Sequence, residues 1–269
     1  MPAKFSRVLL LALLLCWSGL SGCATKLPQT TPLFPGQQQE AENFLVSFFQ
    51  VPRPTAVDAD VRLGWDFLGS KGSVDASLQL QQPAFLRFSA TDPLGRSLLL
   101  AVSDGASFTL VDNRIGRIYQ GKTDSKFWRS YIPQAILTED LFYFLGGLLP
   151  NVEMKAIGAA QDPERTGFWY VWKDGRSLTH HVLLDRRSKE MTRHLLFDPR
   201  GDLILEMTYS AYSGARESGF SWPRQLKVTG SAISGTLTVQ VNKIYSHGQL
   251  AAATFHLEPP AHFTVEQVP

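Results

Sequence analysis

Cysteine is nearly absent from this 269-residue chain: only Cys16 and Cys23 occur, both close to the N-terminus. Downstream of them no disulfide framework and no cysteine-ligated metal site can be built. An excess of charge of one sign is missing too. Lys and Arg number 26 against 24 Asp and Glu. Nucleic acid rewards a concentrated basic surface, so this balance argues against it as a partner. Long apolar runs are lacking as well. The clearest, "VLLLALLL" over Val8 to Leu15, falls far short of the roughly 20 residues that a spanning helix needs. Two patterns that mark hydrolases, Gly-x-Ser-x-Gly and His-Glu-x-x-His, do not occur. The six histidines are scattered, and His180 and His181 are adjacent, so on a strand they face opposite sides. Structural or surface roles are the expectation for all six. No catalysis, metal or cofactor is expected.

What is present begins with the ends. Lys4 and Arg7 precede the apolar run, and "LSGC" (Leu20–Cys23) follows it, the order of a secretory signal. The tetrapeptide resembles the bacterial lipobox, which implies cleavage before Cys23 and lipid attachment to it. An ordinary signal peptide with an incidental cysteine is the other reading. Removing residues 1–22 takes away Lys4 and Arg7 and no acid, leaving 24 charges of each sign. Residues 24–36, "ATKLPQTTPLFPG", read as an extended tether reaching about 40 Å. Residues 37–269 read as one domain.

Within that domain, "QQQEAENFLVSFFQ" (Gln37–Gln50) predicts a helix with Phe44, Leu45, Phe48 and Phe49 on one face, stopped by Pro52 and Pro54. Strands follow. "SVDASLQLQ" and "FLRFSA" alternate apolar and polar residues, and residues 57–121 read as an antiparallel meander. Asp92-Pro93-Leu94-Gly95 has the composition of a type I turn, which puts Leu94 at an exposed tip. Two short helices are expected at Ser125–Pro133 and Leu137–Pro150, the second capped by Thr138 and ended by Gly146 and Gly147. Strands resume near Gly167 and run to "LAAATFHLEPP". About a dozen strands, with no strand–helix alternation, predict a mainly β protein: an antiparallel, half-open barrel with short helices packed on its concave face.

The order of lipobox, Pro-rich tether, helix, meander with a Pro-Leu-Gly turn, apolar helical insert and second strand set resembles the LolA/LolB superfamily, and its outer-membrane receptor branch in particular. The likeness is strongest over "FLRFSATDPLGRSLLLAVSDGASFTLVDN". It implies an incomplete barrel whose apolar hollow holds acyl chains under a helical lid. Carried over, Leu94 with Pro93 and Gly95 would be a membrane-insertion loop. Phe88, Leu100 and Phe108 on strands, and Phe127, Trp128, Tyr131, Leu141, Phe142, Leu145 and Leu148 in the insert, would form the cavity and lid. Ala24 after the cysteine leans toward the outer membrane. The implied partners are acylated lipoproteins, a LolA-like periplasmic carrier and outer-membrane lipid, handled by a monomer that inserts its cargo into that membrane. An envelope-assembly lipoprotein that binds a protein or glycolipid partner with the same fold is the alternative.

Overall fold

The computed structural model describes residues 27–133, 135–149, 155–213 and 220–269. The expected signal segment and Cys23 lie outside them. A single 14-stranded sheet organises the described chain. Its first half is the meander β1 (Ala56–Phe67), β2 (Ser70–Gln81), β3 (Phe85–Thr91), β4 (Ser97–Ser103), β5 (Ser107–Asp112) and β6 (Arg117–Lys122). The second half runs β7 (Lys155–Gln161), β8 (Gly167–Lys173), β9 (Thr179–Asp185), β10 (Met191–Phe197), β11 (Leu203–Ser210), β12 (Gln225–Gly230) and β13 (Gly235–Ser246). β13 pairs with β1 and joins the halves, and β14 (Thr264–Val268) pairs with β6, so the sheet order is 14-6-5-4-3-2-1-13-12-11-10-9-8-7. The outer strands β14 and β7 do not pair with each other, and the barrel stays open. A mainly antiparallel open barrel is the architecture expected.

Alternation sorts each strand into two faces. Val57, Ala59 and Val61 of β1, Leu78 and Leu80 of β2, and Phe168 and Tyr170 of β8 enter one continuous core on the concave side. Helix α1 (Pro35–Gln50) covers part of that side near β8. Pro35 sits in its first turn, and the Gln37 side chain accepts from the Phe34 N–H at 3.1 Å. The core-facing stripe is Ala41 and Phe48, buried, with Phe44 and Leu45 half-buried beside them; Phe44 lies 5.9 Å from Phe168 and the Tyr170 hydroxyl donates to the Ala41 carbonyl. Phe49, expected on this face, is exposed instead. Positions 41, 44, 45 and 48 fit the i, i+3, i+4, i+7 geometry, and position 49 falls off its edge.

Two further departures concern strands. "LAAATFHLEPP" is not a strand: it holds a 3-10 turn at Ala252–Phe255 and crosses the convex side as a strap. The Leu250 N–H donates to Gln81, Arg87 donates to the Thr254 carbonyl, and Phe255 lies 5.2 Å from Phe85. The strap delivers β14 to the edge, parallel to β6. β7 arises in sequence that showed no clear alternation; its Gln161 exchanges two backbone hydrogen bonds with Thr31. Thr31, read as part of a free tether, is thereby fastened to the sheet.

Candidate functional site

The insert between β6 and β7 decides what the concave side can do. Its helices are shorter than expected: α2 is Lys126–Arg129, and α3 is Leu141–Gly146 after a 3-10 turn at Thr138–Asp140. Ser125 caps α2 by accepting from the Trp128 N–H. Thr138 is not the expected cap. Its hydroxyl oxygen instead accepts from the Trp128 indole N–H at 3.0 Å, which ties the two pieces together. Gly147, in the left-handed region at φ 61°, ends the insert's second helix.

Most of the insert is a plug. Trp128, Phe142, Phe144 and Leu148 are buried against the sheet. Phe108 of β5 stacks on Trp128 at 4.6 Å and lies 5.9 Å from Phe127; Phe142 meets Trp222 edge-on at 5.5 Å. Phe88, Leu141 and Leu145 are half-buried on the same core. Leu100 is not brought to them. It pairs with Ser89 and Val111, while its neighbours Leu99 and Ala101 enter the core, so Leu100 lies on the convex face. A one-residue step along a strand reverses the face.

Open space remains at one end of the plug. A cleft of about 540 Å³ lies between the ends of β1 and β13 and the loop after α2. Leu63, Trp65 and Phe67 form one wall, and Tyr131, Ile132 and Pro133 face them, with Ile233 and Leu237 beside. That volume falls within the roughly 300–1,000 Å³ of ordinary ligand clefts. Arg129 and Ser130 supply its polar margin. Of these residues, sequence reading anticipated the loop and missed the β1 wall, although "RLGWDF" alternates correctly for a strand.

Arg176, from the β8–β9 turn, fastens the insert to the rim. Its guanidinium donates to the Ala135 carbonyl at 3.1 Å, pairs with Asp174 at 3.0 Å and approaches Asp140 at 3.7 Å. Burial raises the Asp140 carboxyl to about 6, with Arg176 opposing the shift. Beneath lies a pair that sequence spacing hid. His180 of β9 and His194 of β10 stand 2.9 Å apart, both buried, with Phe144 of α3 stacked on His194. Asp174 lies 3.5 Å from His180 Nε2. Its carboxylate favours a proton there, so His180 Nδ1 accepts and His194 Nε2 donates. Burial lowers both imidazoles, His194 well below the usual range, while Asp174 partly opposes the shift at His180.

The sign of the resulting pH dependence follows. Unfolded histidine takes a proton near pH 6.5, before the buried pair does, so stability falls as pH drops through that value. His194 alone accounts for about 2 kcal/mol of loss at pH 5 if it stays neutral in the fold. Asp140 acts oppositely below about pH 6, because its folded form protonates first. His194→Gln is therefore expected to lose less stability between pH 7 and pH 5 in urea unfolding. An equal loss in the variant would show that the pair is not buried neutral.

One octapeptide invites a different reading. "GRIYQGKT" (Gly116–Thr123) has the spacing of a phosphate-binding loop. Here Arg117–Lys122 is strand β6, laddered to β5 on one side and β14 on the other. Its backbone therefore cradles nothing, and the spacing is coincidental.

Comparison with solved structures places this geometry. The chain superposes on a LolA-superfamily protein from Nitrosomonas europaea with a TM-score of 0.56 at 10% identity, over 81% of this chain and 97% of that one. The two chains share a fold. A DUF1329-family protein from Desulfovibrio piger shares it at TM-score 0.57 and 10% identity, with the same two coverages. So does a Vibrio parahaemolyticus domain described as an outer-membrane lipoprotein-sorting protein, at 0.51 and 8%, again over 81% of this chain and 97% of that one. No family model matches the chain, and no curated protein matches it in sequence. On this fold, the expected loop residue Leu94 is at the tip of its turn, 79% exposed. Its turn closes by the Gly95 N–H donating to the Asp92 carbonyl, with Pro93 exposed beside it.

Proposed function

We propose that this chain is an envelope lipoprotein, anchored through Cys23 in the outer membrane, that accepts the acyl chains of other lipoproteins from a LolA-like carrier and passes them to the bilayer. The cleft carries the reading: apolar on both walls, at the mouth of an unclosed barrel, and bordered by the loop that follows α2 in the insert. Each methylene drawn into it contributes about 0.8 kcal/mol. The Vibrio parahaemolyticus relative, described as a lipoprotein-sorting protein, supports the same class of ligand. Further acyl length is accommodated where the aromatic plug of Trp128, Phe142 and Phe144 shifts. Leu94 guides release, and no nucleotide drives it: chains move from carrier to cleft to membrane down a gradient of affinity.

Binding of a fluorescent diacylated lipopeptide to the purified protein tests this. Ile132→Asp places a carboxylate in the cleft without cutting into the plug, and it is expected to weaken binding at least about tenfold. Equal affinity in the variant, or no binding by the parent, would remove the proposal.

A further inference from the structure

Three hairpins of the meander, β1–β2, β3–β4 and β5–β6, turn at the same end of the sheet. Their tips repeat one short pattern, an aliphatic residue followed by glycine: Leu68-Gly69, Leu94-Gly95 and Ile115-Gly116. All three glycines have left-handed φ values, 80°, 78° and 65°. The aliphatic side chains stand 99%, 79% and 59% exposed. The intervening turns at the other end, Gln82–Ala84 and Asp104–Ala106, carry no large aliphatic residue.

Basic residues accompany each tip. The side chains of Lys71, Arg96 and Arg114 are 78%, 76% and 61% exposed. Two of their acidic partners are turned inward: Asp92 and Asp112, 12% and 10% exposed, accept the backbone N–H groups of their own turns. At these two tips the charge offered to the outside is positive. Of the three pairs, Lys71–Asp66 is exposed on both sides, as is the Arg117–Glu266 pair that follows the third tip.

We propose that the three tips together form a contact for an anionic lipid bilayer, with Leu68 and Ile115 entering beside Leu94. The inference rests on the lipid-delivery reading above and extends it to two hairpins. Successive tips are two strand spacings apart, roughly 10 Å. Single aliphatic residues so spaced, with charge between them, lack the continuous packed centre of a protein interface. A bilayer accepts each one separately. The tips also step along the sheet in one direction. β1–β2 continues for five residue pairs beyond Arg62↔Asp75, which is level with the last β3 pair, Asp75↔Thr91. The β5–β6 turn begins one step lower, at Asp112, paired with Leu99 and not with Ser97. Strands inclined at about 35–45° to a barrel axis produce such a stagger when their ends share a plane across that axis.

An environment-sensitive dye reads each position separately. It is attached through Leu68→Cys, Leu94→Cys or Ile115→Cys in the full chain, with Thr208→Cys on the outer face of β11 as control and the dye-treated parent as background. On vesicles of phosphatidylethanolamine containing one quarter phosphatidylglycerol, emission is expected to shift to the blue at the three tips and not at position 208. Raised salt is expected to weaken the response. With the reporter at position 94, Leu68→Ser/Ile115→Ser is expected to require about tenfold more vesicle for the half-maximal shift. A shift at 94 alone overturns this inference and leaves the delivery reading standing. Loss of lipopeptide binding in the cleft with all three tips still responding does the reverse. Tips that stay in water on vesicles, whatever protein they bind, also overturn it.

Discussion

Leu94→Glu is expected to fold as the parent does and to lose at least about tenfold in the transfer of a bound fluorescent lipopeptide to liposomes. Folding is spared because the side chain is 79% exposed at the tip of a turn whose hydrogen bonds are made by Asp92 and Gly95. Transfer suffers twice. Inserting a leucine contributes about 1.5–3 kcal/mol, which the variant forgoes. A carboxylate in its place is repelled by anionic headgroups and resists leaving water. Circular dichroism checks the first half of this result and transfer kinetics the second. Delivery at the parent's rate would remove Leu94 from the mechanism.

Phe142→Ala is expected to destabilise the protein by about 3–5 kcal/mol. In a domain of this size that lowers the melting temperature by roughly 10 °C. Phe142 is 2% exposed and lies between Tyr143 and Trp222, so little solvent waits to fill the gap. The vacated space is apolar and lies within the plug, so the variant is also expected to bind an apolar dye more strongly than the parent does. Both effects are measurable in one thermal series with and without dye. A melting temperature within a degree of the parent's would mean that the insert does not pack on the sheet in solution.

Local pattern made much of the fold legible. Alternation of apolar and polar residues is a property of neighbours, so β1–β6 and β8–β13 were readable from short windows. Turn chemistry was readable for the same reason: Asp92 to Gly95 folds as its composition dictates. Features that depend on partners distant in sequence were less legible. Thr138 looked like a helix cap and serves Trp128 instead. Phe49 looked apolar enough to be buried and misses the face by one position. Leu100 sits in a continuous run, "SLLLAVS", in which nothing local says which leucine turns inward. Its face follows from register with β3 and β5.

By itself the sequence determined the β-rich class, the place of the helical insert and the exposed turn at Leu94. These are settled within a few residues by backbone preference and periodicity. Only the tertiary structure decided that the insert fills the hollow, that open space survives beside Ile132, that His180 meets His194, and that Leu68, Leu94 and Ile115 share one end. The reason is physical. Each of those facts depends on which strand lies beside which and in what register, and residues 14 to more than 100 positions apart become neighbours only when the whole sheet has formed.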